Sequence, residues 1–546
     1  MTRRGKCIGL AALTMLVAAV AFRLAVLRNG DVSRAVDLGR KARIYPDYAG
    51  VTIPPNIAPL NFQVQEPGRR FHVRISGDSP GAPRIEIDSR DGTIRIPAGP
   101  WRQLLRQQRD KNIAVAIYAR SEQGWRRFTE FTMGVALEPI DPYVVYRLIP
   151  PIYTVWRDMG LYQRDLEGFD ERRILHNRLS AGPGGRNAQN ACFNCHTFMN
   201  YGTDKMVLHV RPSGSDKSQQ PGMILVQDGR AQRVETRRGR ESPAAYVSWH
   251  PTGRYLAFSR NKLSQFFHLA GPETRGVIDS ASDLGLYLVS SGETVSDPLI
   301  SRPDRLETFP SWSPDGKWLY FCSAPSWSRD PRTPISKAVG VRYDVMRIEF
   351  DPANGRFGRL ETVVSAEQMG KSMSLPRVSP DGRFLMFCVH DYGSFPIYQP
   401  GSDLYLVDLS KLPANSPALA CLASGEAAPR RLELNSDLCD SYHSWSSNSR
   451  WVIFSSKRED GVFARLYISR IDEQGRSGKP LLMPQSDPTF YSRFLMTYNV
   501  PELTAMPVTV TERELVQAVN APAARPIAAD AVPAARPTDD MWRGVK

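Results

Sequence analysis

The sequence predicts an all-β protein: a β-sandwich-like domain, a linker segment, and then a β-propeller of five blades, with six left open. Two observations carry this. The first half holds short runs of alternating apolar and polar residues, cut by Gly, Pro and Asp. The second half repeats one hairpin unit, with aligned positions at 249, 312, 378 and 445, so that copies lie 63, 66 and 67 residues apart. Such a unit cannot bury both its faces alone. Stacking copies around an axis buries them, which is the logic of a propeller.

The N-terminus reads as a targeting segment. Arg3, Arg4 and Lys6 precede a weakly polar to apolar run from Cys7 to Phe22, and Ala19-Val20-Ala21 resembles a cleavage site. Arg23 ends a run that is short for a membrane span, although Leu24 to Leu27 could extend it. Residues 1–27 are therefore expected to be a signal peptide or an uncleaved N-terminal anchor. The body is expected to be exported to the periplasm, with attachment to the inner membrane as the alternative to a free protein. Residues 28–57 are polar, contain Pro and show no sustained period, which suggests a spacer.

Residues 58–140 give the sandwich-like domain. Phe62 to Val64, Phe71 to Ile75, Ile85 to Ile87, Thr93 to Ile96, Ile113 to Tyr118 and Phe128 to Val135 all alternate as half-buried strands do. Trp101 to Gln108 suits a short helix among them. Residues 141–204 form an aromatic and helical linker on this reading. Tyr143 to Pro151 is aromatic and Pro-broken, Tyr153, Trp156, Met159 and Tyr162 follow, and a charged, helix-like stretch runs through Arg173. Aromatics at that density need burial, either against a cofactor or between domains. Gly182-Pro183-Gly184-Gly185 follows as a flexible approach to the next motif.

That motif is Cys192-Phe193-Asn194-Cys195-His196, C-x-x-C-H. Two thiols at this spacing can each form a thioether with one vinyl of the same porphyrin, and the histidine after the second can bind the iron. It predicts one covalent haem c held by Cys192 and Cys195, with His196 axial. Half a zinc site is the first competing reading, but the sequence has no second C-x-x-C or H-x-x-x-H. A thioredoxin-like motif would need a βαβ setting, and a two-residue disulfide loop would not explain His196. Export and haem c require the same compartment, so the two expectations support each other. For the sixth iron position the candidates are His209 first and Met206 second, with Met199, a distant residue or an open site after them. If 206–211 is a strand, Met206, Leu208 and Val210 face one way, and Val207, His209 and Arg211 the other. Arg211 then becomes a candidate propionate contact. His250 and His443 fall at repeat positions that suit turn or blade residues.

The chain has 546 residues, with 42% apolar and 23% charged content, ordinary for a globular protein. Its net charge of +14 comes from dispersed Arg without a basic block, and it carries no nucleic-acid-binding signature. The charge points to an acidic partner protein or an anionic membrane surface. Of seven cysteines, two belong to the motif and Cys7 to the leader. Cys322 and Cys388 follow equivalent buried strands as small thiols, and Cys421 with Cys439 could form a disulfide.

The repeats are Trp249-His250-Pro251-Thr252-Gly253, Ser311-Trp312-Ser313-Pro314-Asp315-Gly316, Val378-Ser379-Pro380-Asp381-Gly382 and Ser444-Trp445-Ser446-Ser447-Asn448-Ser449, each followed by an apolar strand. Pro-Asp-Gly makes the tight turn. These copies resemble the TolB-like propeller repeat, most clearly at the second and least at the fourth. The whole chain resembles bacterial TolB-like proteins carrying a single c-type haem, which implies an exported, haem-bearing propeller over residues 205–510. Closure is expected from the chain near 490–500 pairing beside the 206–211 strand. Residues 511–546 read as a disordered Pro/Ala-rich tail.

TolB-like propellers also cap serine peptidases, but no G-x-S-x-G elbow is present. Two functions remain. One is periplasmic electron transfer with a redox partner protein or membrane-associated complex. The other is a binding, scaffold or sensor protein whose propeller mediates interactions. A catalyst, such as a peroxidase, is the weaker third.

Overall fold

The computed structural model describes residues 32–79, 81–151, 158–177, 192–211, 222–234, 236, 244–268, 271, 273, 275–327, 333, 335–412 and 427–522. The leader, the Gly182–Gly185 approach, Cys421, part of the 326–341 insertion and the tail beyond 522 lie outside them. No helix among the described residues is long and apolar enough to cross a membrane. The chain divides into two compact units.

The first unit lies within residues 32–50, 59–135 and 484–492. Its centre is the long strand Lys111–Ser121, paired with Arg70–Gly77 on one side and with Gly124–Arg127 and Phe131–Val135 on the other. A three-stranded sheet joins Ile44–Tyr45, Phe62–Val64 and Thr93–Ile94. The expected helix is present as Ala98–Gln107, with Trp101, Leu104 and Leu105 buried. Val36–Asp37 and Ile44–Tyr45, expected to belong to a spacer, are strands of this unit.

The second unit holds six four-stranded antiparallel sheets among the described residues. Blade 1 orders Glu171–His176, Gly160–Asp165, Tyr143–Ile149 and Thr497–Thr504 from its outer to its inner strand. The inner strands of blades 2 to 6 are Cys192–Phe198, Ala244–Trp249, Arg305–Trp312, Ser372–Val378 and Asp440–Trp445. Each inner strand touches that of the next blade, and the last touches the first, so the sheets form a closed ring. The fold is an all-β propeller with six blades.

Three expectations change here. The charged stretch before Arg173 is strand rather than helix. Glu171-Arg172-Arg173 is exposed on the outermost strand of blade 1, where charge protects a sheet edge. Of the aromatics beside it, Tyr146 is blade core, fully buried and edge to face with Tyr498 at 4.9 Å, while Tyr153 and Trp156 lie outside the described residues. Closure does use the late strand, but Thr497–Thr504 pairs with Tyr143–Ile149 and not with the 206–211 strand. That strand already has an inner neighbour, the C-x-x-C-H segment itself. Finally, part of the expected tail is ordered. Glu512–Asn520 is a helix with a Thr511/Glu514 capping box, and Leu515 and Ala518 are buried in the core of blades 1 and 2.

The repeat turns behave as their sequence requires. Gly253, Gly316 and Gly382 have φ of +70°, +70° and +76°, and Ser449 takes φ +63° where the fourth copy lacks glycine. A Cβ at Gly316 would stand 2.4 Å from the His250 ring. His250 Nε2 donates to the Gly316 carbonyl at 3.0 Å, so this histidine clamps the turns of blades 3 and 4 together. Cys322 and Cys388 are fully buried, as expected of small core thiols.

Candidate functional site at the centre of the ring

Every blade carries a register break at its inner strand. In five of them a non-glycine residue turns left-handed: Cys195 (φ +51°), Phe309 (+53°), Leu375 (+54°), Tyr442 (+45°) and Val500 (+49°). A β-bulge re-aims the side chains around it. Here the re-aimed residues line a cavity: Cys195-His196-Thr197, Tyr246-Val247-Ser248, Phe309-Pro310-Ser311, Leu375-Pro376-Arg377, Tyr442-His443 and Val500-Pro501. The cavity holds about 90 Å³ of space open to a water molecule. That is smaller than the usual small-molecule and cofactor pocket, roughly 300–1,000 Å³. A second cavity shares Thr197, Ser248, Ser311 and Arg377 with it and is walled by Trp249, Trp312 and Trp445. The Arg377–Glu502 ion pair lies in its wall.

The C-x-x-C-H segment thus forms the inner strand of blade 2. Cys195 and His196 open on the central cavity. Cys192 is buried against Ile149 and Met159 of blade 1. The repeat-equivalent pairs Leu306/Phe309 and Cys439/Tyr442 each share one apolar cluster. Neither Cys192 nor Cys195 is in a disulfide.

His196 is 2% exposed, and burial pushes its pKa down to about 3, so the imidazole is neutral. Its Nε2 lies 3.3 Å from the Val145 carbonyl. A carbonyl only accepts, so Nε2 carries the proton and Nδ1 presents a bare lone pair. That Nδ1 is buried without a hydrogen-bond partner among the described residues. An orphaned buried acceptor costs about 1–3 kcal/mol, and a metal centre would satisfy it. Two thiols and this imidazole on one strand are the residue types that hold a covalent haem, and of the three Cys195 and His196 line the cavity while Cys192 packs against blade 1. For the zinc reading, no group of three or more His, Cys, Asp or Glu side chains among the described residues is arranged around a common metal position.

Neither named candidate for the sixth position lines the cavity. Met206, Leu208 and Val210 share one core cluster with Phe193 and Phe198, as strand alternation predicts. Val207 packs in the next core. His209 is 2% exposed on the second strand of blade 2, opposite Asn194 and Met223. Met199 packs against the Val207 core. Arg211 pairs with Cys192 in register. Sequence reasoning passed over His443, which lines the cavity with His196. Its signal was its place directly before the repeat Ser-Trp, aligned with His196 before Thr197-Phe198.

No protein-family model matches the chain, and no curated protein does. Among solved structures it is similar to prolyl oligopeptidase B from Galerina marginata, at 12% identity and TM-score 0.35, over 60% of this chain and 41% of that one. It is similar to a luciferin-regenerating enzyme at 8% identity and TM-score 0.35, over 62% and 86% of the two chains. Kuenenia stuttgartiensis hydrazine synthase matches at 12% identity and TM-score 0.29, over 66% and 93%. The chain spans about two-fifths of the length of the prolyl oligopeptidase it matches. Matches of this strength bear on neither mechanism nor partners.

Proposed function

We propose that the chain is an exported c-type cytochrome that carries one covalent haem on a TolB-like propeller and transfers electrons with a protein partner in the periplasm. The observation that carries this reading is the position of C-x-x-C-H on an inner strand, with Cys195 and His196 at the central cavity. The four turn sequences support the TolB-like assignment, and the basic run at the N-terminus supports export.

Cys192 and Cys195 would hold the porphyrin through thioethers, and His196 would bind its iron. When bound, a single haem supplies a one-electron couple. The chain's own part is to fix and shield it. Val145 holds the His196 tautomer through its carbonyl, the usual outer partner of a metal-binding histidine. Tyr246, Phe309, Leu375 and Tyr442 give part of the cavity an aromatic and apolar wall. The net charge of +14 would draw an acidic partner, and such attraction fades as salt rises.

The test is redox kinetics on the full chain, matured for c-type haem. The expected result is a reversible one-electron couple and electron exchange with an acidic protein that slows as ionic strength increases. A ferrous protein that binds CO or reacts readily with peroxide before any substitution would reject the carrier reading in favour of a sensor or a catalyst.

A further inference from the structure

We propose that one edge of the first unit's sheet is a docking surface for anionic lipid headgroups, a reading that does not depend on the haem. The edge strand is Val36–Asp37, preceded by the single turn Val32–Arg34. The turn touches Gly124–Arg127, and the edge strand pairs with it in parallel, Val36 beside Arg126 and Asp37 beside Arg127. Gly124–Arg127 pairs in turn with Lys111–Ser121, which sets Trp125 beside Arg120. Arg34, Arg120, Arg126 and Arg127 thus collect along one rim. None of the four has a carboxylate partner among the described residues. Arg126 donates to the Gln123 side chain, and Arg120 stands 6.0 Å from the Trp125 ring. The carboxylates within residues 32–38 and 118–127 are Asp37 and Glu122, and both are engaged, Asp37 by the Gly39 N–H and Glu122 by Arg69.

Such a rim works against itself. Arg70 stands directly opposite Arg120 across its strand pair, and like charges so placed destabilise a sheet. An external polyanion relieves that repulsion. Charge also guards a sheet edge against pairing, but either sign does that. Here one sign gathers beside two apolar groups, the half-buried Trp125 and Val36, which is 65% exposed. Tryptophan is enriched where proteins meet the membrane–water interface. The sequence favours lipid over an acidic protein. The apolar extension at the N-terminus ends at Leu27, five residues before Val32. A fully extended chain spans at most roughly 18 Å over that interval. On the anchor reading the rim then stands next to the membrane, where anionic headgroups attract basic side chains over about one Debye length.

The experiment reconstitutes the full chain with vesicles of phosphatidylglycerol or of phosphatidylcholine. Its arginines are then modified with phenylglyoxal and quantified by mass spectrometry. A retained leader inserts in either lipid, so the comparison isolates the rim. Arg34, Arg120 and Arg127, all exposed, should react several-fold more slowly on phosphatidylglycerol, and high salt should erase the difference. Arg102 and Arg106, exposed on the helix of the same unit, should react equally on both lipids. Arg120→Gln combined with Arg127→Gln should remove most of the protection at Arg34. Equal reactivity of the rim on the two lipids would overturn the proposal. So would equal slowing at Arg102 and Arg106, which would show unselective adsorption of a basic protein. Protection by poly-glutamate but not by phosphatidylglycerol would give the rim to an acidic protein partner instead.

Discussion

A chain stopped at Met496 should lose cooperative folding of its propeller. The strand it lacks, Thr497–Thr504, is the inner strand of blade 1 and carries seven buried residues in eight. Its loss strips the pairing from Tyr143–Ile149 and exposes Val144, Val145 and Tyr146, all fully buried in the intact ring. It also leaves the half-buried Arg377 without its Glu502 partner. Together these losses rival the whole stability of a domain, about 5–15 kcal/mol. A milder version is Tyr498→Ala, which should cost about 3–5 kcal/mol as a large-to-small core change. Urea unfolding followed by near-ultraviolet circular dichroism checks both. A truncated chain with the full-length midpoint would show that the ring closes by another route.

Glu307→Gln should stabilise the protein, and more so as pH rises. Glu307 sits on the inner strand of blade 4, 1% exposed, where burial outweighs the help its carboxyl takes from the Arg302 backbone N–H. Burial, reinforced by the charge of Asp283, pushes its pKa up to about 9. The folded state therefore holds a proton that the unfolded chain releases near pH 4.5. Stability from this group is complete below that value and is lost as pH climbs toward 9. At about 1.4 kcal/mol per pKa unit, the wild type forgoes up to about 5 kcal/mol at pH 8. Glutamine keeps the shape and removes the charge. The midpoints of wild type and variant should converge near pH 4.5 and separate at pH 8. Parallel profiles would mean that Glu307 ionises freely inside the fold.

The repeats were readable because each blade spends its strongest local signals on one turn. Ser313 and Ser379 each donate to the Asp two residues on and accept from the strand that follows, and Ser446 does the same with Asn448. Such a pattern survives in sequence even where Pro-Asp-Gly becomes Ser-Asn-Ser. Blade 1 was not readable in the same way. Its strands come from both ends of the chain, with Tyr143 opposite Thr504, and no local pattern announces a partner so far away. Its outer strand carries Glu171-Arg172-Arg173, whose charge hides the alternation. The helix Glu512–Asn520 had a legible capping box, overshadowed by the Pro/Ala-rich residues after it.

At the site, the motif was legible as chemistry but not as position. C-x-x-C-H names its ligands through covalent spacing, which needs no fold. That the same residues make an inner strand depends on the bulge at Cys195, and a left-handed cysteine leaves no mark in sequence. The choice of His209 and Met206 rested on nearness along the chain. The cavity wall brings His196 together with residues far away in sequence, His443 among them.

The most direct measurement is the haem content of the purified full-length chain, produced with and without c-type maturation and read as a pyridine haemochrome after acid-acetone extraction. The account predicts one haem per chain that survives extraction, with the spectrum of a doubly thioether-linked porphyrin, and its loss or weakening in Cys192→Ala and Cys195→Ala. A matured protein that releases its haem on extraction, or never contains any, would contradict it.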